Sequence, residues 1–338
     1  MRTLQNPAPT IQTRLRSMRP FLRVGKIATS PQCLIPCALL VVVLNVSDFC
    51  FGRMLRSPAV GGSLNLLQVA ELAFDSCEPL RGMLQGFEEI VLGGPFHSIG
   101  VFLRFISRLI ILGMFGVGIA RATAYGICRD QRLGILSTLQ SSVMATGRVF
   151  QNTLLAGLLI LLPWLLAHAA GLALSLCNSI GLQSIVSERV LITVPWLIST
   201  LSVLVMAVVV FGWSFSIAAI GVDQCGSGDA MSRGISYCLS HKTMTVVCFL
   251  LAAMMMVAIG SVFQLLGSDG VVLTQSISVW AIPDGSSITR SDFHVFVTWL
   301  KETVQLSIFF AIVGASYIFL RYLEDGVAVS EMQTGSQR

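Results

Sequence analysis

Charge is what this chain has least of. Only 12% of its 338 residues are Asp, Glu, Lys or Arg, about half the share of an average soluble domain. A water-soluble surface cannot be covered with so few charges, so two or three ordinary soluble domains are excluded. A disordered chain is excluded by an apolar share of 54%. Nine cysteines in this length are too sparse for a disulfide scaffold. Catalytic signatures are missing as well: there is no G-x-x-x-x-G-K-[ST], no H-E-x-x-H, no G-x-S-x-G and no acidic pair inside an apolar run. Four scattered histidines imply no metal or cofactor. Nucleic acid is not an expected partner, because the basic N-terminus has no aromatic residue interleaved beyond Phe21.

What the chain does have is long apolar runs, with a mean hydropathy of +0.79. Crossing the hydrocarbon core takes about 20 mostly apolar residues in a helix. Six runs qualify: 32–51, 99–120, 153–176, 192–222, 245–266 and 304–323. The reading is therefore an all-α integral membrane protein, a bundle of about six transmembrane helices. Pro31, Pro36 and Asp48 weaken the first run, and Arg104 and Arg108 interrupt the second. Residues 1–30 form a basic tail and residues 324–338 a second tail.

Orientation follows from the basic residues. Arg2, Arg14, Arg16, Arg19, Arg23 and Lys26 precede the first run without an acid. If that end is cytoplasmic, the inside segments collect 14 Lys/Arg and 6 Asp/Glu, and the outside ones 6 and 11. Both termini are then cytoplasmic, in the inner membrane. Ile11, Leu15, Met18 and Leu22 keep helical spacing among the arginines, which suits contact with anionic lipid. The extracytoplasmic segments are 52–98 and 267–303. In the first, Leu64, Leu67 and Phe74, then Leu80, Met83, Leu84, Phe87 and Val91, mark amphipathic interfacial helices. The second ends VVLTQSISVWAIPDGSS on a Pro-Asp-Gly turn signal, consistent with a short strand pair, with Ser291 capping the last helix.

Shifting the chain by 95 residues lays the second run on the fourth, the third on the fifth, and ILSTLQSSV (Ile135–Val143) on AMSRGISYC (Ala230–Cys238). Each unit would be a helix entering the cytoplasm, a short amphipathic helix and a helix leaving. Both units have the same orientation, so this is a parallel internal repeat.

Three segments occur in order: RATAYGICRDQRLGI (Arg121–Ile135), DAMSRGISYCLSHK (Asp229–Lys242) and SYIFLRYLEDGVAVSEM (Ser316–Met332). Together they resemble an uncharacterised family of multi-pass membrane proteins of planctomycete bacteria, over roughly Pro95 to Met332. The matching residues are Arg121, Arg129, Asp130, Asp229, Ser232, Arg233, Ser236, Tyr237, Tyr317, Arg321, Asp325 and Gly326. Gln131 and the His241-Lys242 pair depart from the family pattern. The resemblance implies fold and bacterial origin; the family brings no assigned activity.

Two constellations stand out for chemistry. Arg104 and Arg108, four apart on one helical face, read either as an anion or lipid-headgroup site or as cations snorkelling and pairing with acids such as Glu88 and Glu89. The connector charges Arg121, Arg129, Asp130, Arg132, Asp229 and Arg233 read either as topology-setting charges, joined as a salt-bridged plate, or as a docking surface for a partner or lipid headgroups. Cys33 and Cys37 share a helical face, and Cys50 and Cys77 both fall outside, where a disulfide could join them. His168 near Trp164 reads as a packing donor. Gly113, Gly116 and Gly118, with Ala120, smooth the second run for close helix packing. A non-enzymatic scaffold, accessory or lipid-associated component is the leading functional reading. A transporter or permease subunit is the alternative. A lipid-modifying enzyme is the third, with His97, Asp48 and Arg104 as its only mixed polar group.

Overall fold

The computed structural model describes residues 23–54, 95–179, 188–281 and 288–326, and of some helical residues in these ranges the backbone alone. The basic tail up to Leu22, the stripes between Leu64 and Val91, Glu88, Glu89 and Cys77 lie outside the described residues. So do the side chains of Asp48, Cys50, His97, Arg104, Trp164 and His168.

Every described element is a helix. In chain order they are α1 (Val24–Ala28), α2 (Pro31–Met54), α3 (Pro95–Cys128), α4 (Ile135–Met144), α5 (Thr146–Ser179), α6 (Glu188–Asp223), α7 (Ser227–Ser240), α8 (Lys242–Ala281) and α9 (Ile288–Asp325). Among the described residues four helices are long and apolar enough to cross a membrane, five if the bent pair α4 and α5 is counted as one span. The apolar part of α2, Pro31–Ser47, is shorter.

The long helices overrun the apolar runs that predict them. The clearest correction concerns residues 267–303, where a strand pair is expected. The backbone there stays helical to Ala281 and is helical again from Ile288, three residues before the expected cap at Ser291. The physical reason is cooperativity. Once a span has nucleated the helix, each added residue gains a hydrogen bond at little cost, and this outweighs a local β preference.

The core is a triad of long helices. Gly113 of α3 faces Trp213 and Ile217 of α6, and farther along Val117 and Ala120 face Gly221. Gly116 of α3 likewise faces Phe310 of α9, and Ala120 faces Gly314. The paired positions advance together, so α3, α6 and α9 run parallel. Small residues let them approach closely, as helices in lipid do. Each is followed within two residues by one with positive φ: Asp130 (52°), Gln224 (56°) and Gly326 (66°). A left-handed residue closes a helix by satisfying its last carbonyls. Outside the triad, α5 packs on α3 and α6, α2 packs on α3 and α9, and α8 packs on α9. Phe249 of α8 sits 4.5 Å from Phe211 and 5.4 Å from Phe215, both on α6.

Two short helices fold back along the triad. After the turn at residues 129–134, α4 lies against α3 at Gly118, and after residues 224–226, α7 lies against α6 at Gly212. The exit helix then starts at a break, at Ala145 and at His241; α4 and α5 meet at a 52° bend. In the second hairpin the approach is backbone to backbone: Gly234 of α7 abuts the Gly212 carbonyl. A side chain there must push the helices apart. Gly234→Val should therefore lower the unfolding free energy of the solubilised protein by about 1–3 kcal/mol. Gly147→Ala, facing open space, should leave it unchanged. Equal losses would remove close backbone approach from this description.

Candidate functional site: an ionic cluster at the connector end

Asp223 is the last residue of α6, and its side chain is only 7% exposed. A buried carboxylate must find donors or stay out of the interior. Three reach it. Arg233 of α7 donates to Oδ2 at 2.9 Å, and Tyr317 of α9 donates its hydroxyl to the same oxygen at 2.6 Å. Arg321, one turn beyond Tyr317 on α9, donates to Oδ1 and also reaches Asp325 at 3.3 Å. The second tyrosine, Tyr237 of α7, packs its ring 5.6 Å from that of Tyr317. Burial and then the nearby Asp325 carboxylate hold the Tyr237 hydroxyl above its usual pKa. His241 closes the far side with Glu324 at 2.7 Å. One carboxylate thus ties the end of α6 to α7 and α9.

The motif residues separate into two groups. Arg233, Tyr237, Tyr317, Arg321 and Asp325 converge on Asp223. Arg121 and Arg129 instead flank the ring of Tyr125 at 5.9 and 5.0 Å, and Arg121 also donates to Ser141 of α4 at 3.0 Å. Asp130 pairs with Arg23 across an exposed contact. Asp229 is exposed in the first turn of α7, where its carbonyl accepts from Ser232 at 3.0 Å; Ser236 is exposed too. The two hairpins meet through hydrogen bonds: Arg148 of α5 donates to the Gln224 carbonyl at 2.8 Å, and Ser227 donates to Gln151 at 3.1 Å. The first of these braces a non-glycine residue in left-handed backbone, a conformation that costs about 1–2 kcal/mol.

Sequence reasoning missed Asp223 itself. It also missed a polar knot at the α5–α6 contact, where Asn152 donates to Ser216 at 2.6 Å and Trp213 to Thr153 at 3.2 Å, all buried. Arg108 is half-buried on α3 and is engaged by a partner. Cys33 and Cys37 share one fully buried face of α2. At the connector end burial raises the Cys225 thiol, with Asp223 adding to the effect, and burial pushes Cys238 up to about 12. Neither suits a thiolate nucleophile at neutral pH. Among the described residues no three His, Cys, Asp or Glu side chains are grouped to hold a metal ion.

No protein-family model, curated protein or solved structure matches the chain.

The energetics of the cluster follow from burial. Asp223→Ala leaves two arginines and a tyrosine without their acceptor and should cost about 3 kcal/mol or more of stability, read as a lowered thermal midpoint. Arg23→Gln breaks a pair whose side chains are 57% and 78% exposed, and should cost less than about 1 kcal/mol. A Asp223→Ala protein as stable as the parent would mean the carboxylate is not the tie.

Proposed function

We propose that the chain is a six-span integral protein of a bacterial inner membrane, with both termini in the cytoplasm. We further propose that it works as a non-enzymatic scaffold or accessory component. The family resemblance to planctomycete multi-pass proteins belongs to the same proposal. On this reading the ionic cluster lies at the cytoplasmic end, where charges are cheap to keep and orient the chain.

The observation that carries the scaffold reading is how Asp223 is used. A carboxylate acting on a substrate needs an open approach and free lone pairs. Asp223 is buried and accepts from Arg233, Arg321 and Tyr317, residues of two other helices. Its bonds go into holding the bundle end together.

A transporter subunit is the second reading, favoured by the breaks at Ala145 and His241 and by the long–short–long order of α3–α5 and α6–α8. These are the units of the proposed parallel repeat. Gly118 and Gly212, where the short helices cross, lie 94 residues apart, one off the 95-residue shift. The lipid-enzyme reading rests on His97, Asp48 and Arg104, whose side chains lie outside the described residues.

Thiol labelling in intact cells separates these readings. With Cys50, Cys77 and Cys177 replaced, cysteines introduced at Gln68 or Asp284 should react with an impermeant reagent applied from outside, and cysteines at Gln140 or Gly226 should not. Labelling at Gln140 would overturn the six-span topology. Cysteines at Val117 and Ile217, both buried in the triad, should stay protected from a membrane-permeant reagent. Reaction at either would show the triad opening, as a transporter requires and a static scaffold does not.

A further inference from the structure

The two short helices bury opposite kinds of surface. In α7 the arrangement is closer to the ordinary one: Ala230, Met231, Tyr237 and Cys238 are buried, and Asp229, Ser232 and Ser236 are exposed, with Leu239 exposed beside them. In α4 it is inverted. The buried residues are Thr138, Ser141 and Ser142, while Leu136 is 84%, Val143 66% and Met144 68% exposed, with one polar residue, Gln140, exposed among them. The inversion has a local cause. Ser142 donates to the Thr138 carbonyl, Ser141 to Ser137 and Thr138 to Gly134, at 3.2, 2.6 and 3.1 Å. Hydroxyls satisfied by their own helix can be buried without further partners, and they are small enough to lie on Gly118 of α3. The apolar side is left facing outward and needs a cover.

Two observations say what covers it. First, the exposed apolar residues of α4 lead directly along the chain into α5, where Phe150, Leu154, Leu155, Leu158 and Leu162 are exposed in succession. Those residues belong to a helix that, taken together with α4, is long and apolar enough to cross a membrane. Second, the rim of the face is cationic. Arg129 and Arg132 are exposed in the turn that leads into α4, and the one acid there, Asp130, is paired with Arg23. The turn of the second hairpin is flanked by acids instead, Asp223 at the end of α6 and Asp229 in the first turn of α7.

We propose that the α4 hairpin is an anionic-phospholipid site in the cytoplasmic leaflet. Leu136, Val143 and Met144 sit among acyl chains, and Arg129 and Arg132 hold headgroup phosphates through charge-assisted hydrogen bonds. The site rests on the reading that the chain is embedded in a membrane. It is distinct from the basic tail, and it lies on the first hairpin rather than the second.

The test uses the full chain in vesicles of phosphatidylcholine doped with a photoactivatable acyl-chain probe, carried either by phosphatidylglycerol or by phosphatidylcholine, with adducts mapped by peptide mass. Adducts are expected on residues 135–144, with the phosphatidylglycerol probe favoured by about fivefold for each arginine that contributes. In Arg129→Gln/Arg132→Gln, which removes only exposed groups, that preference should fall to parity while adducts on residues 154–166 of α5 persist. Adducts on α5 with none on α4 would overturn the site and leave the membrane reading standing. Adducts on neither would overturn both. A cross-link between the α4 helices of two chains in place of lipid would show a second copy as the cover, and equal labelling by the two probes in the parent protein would remove the anionic preference; each outcome overturns the proposal.

Discussion

A carboxylate that is 7% exposed cannot stand alone in an apolar bundle. Taking it out of water costs several kcal/mol, which is recovered only if good donors surround it, and here they come from α7 and α9. That requirement sets the geometry of the connector end. Arg233 reaches Asp223 only if α7 folds back along α6, which needs Gly234 at the Gly212 carbonyl. Tyr317 and Arg321 reach it only if α9 runs parallel to α6 at the right height, which the contacts of Gly221 and Gly314 with α3 allow. The glycine contacts and the ionic cluster therefore depend on each other. Small residues bring the helices close, and the cluster fixes their register.

Away from that end, the hydroxyls of Thr200, Ser214, Ser261 and Thr303 bond back to their own helices, and other described polar side chains bond between helices. Gln305 of α9 donates to the Met256 carbonyl of α8 at 2.8 Å, and Ser307 to the Ala28 carbonyl at 2.6 Å. Helix pairs in lipid gain no hydrophobic driving force from meeting, so close packing and such hydrogen bonds carry association, at about 0.6 kcal/mol for an average bond. The same absence of water accounts for α4 on the proposed leaflet position. In a soluble protein a helix exposing Leu136, Val143 and Met144 would be an aggregation liability, whereas at a leaflet it is ordinary amphipathicity with the polar side turned inward.

Much of this was legible in the residues. The apolar runs located the long helices, because a run of about 20 apolar residues has few other uses. The motif segments contained Arg233, Tyr237, Tyr317, Arg321 and Asp325, five of the residues that meet around Asp223. The centre itself was not legible. The fourth run ends at Val222, so Asp223 looks like one more charge marking the end of a span, and nothing local shows that two distant arginines point back at it. The expected strand pair failed because turn signals and β-branched residues report local preference, and helix propagation from α8 overrode them. Arg104 and Arg108 were conspicuous as charges inside an apolar run. The charge that organises the described bundle instead stands one residue past one.

The central claim is that Asp223 and the α9 arginine act as one unit holding the connector end together. A double-mutant cycle tests it most directly: Asp223→Asn, Arg321→Gln and the pair combined, with unfolding free energies measured in detergent micelles. Strong coupling is expected, above about 1 kcal/mol, with the double variant little worse than Asp223→Asn alone. Losses that add to within about 0.5 kcal/mol would contradict it, since independent sites behave that way.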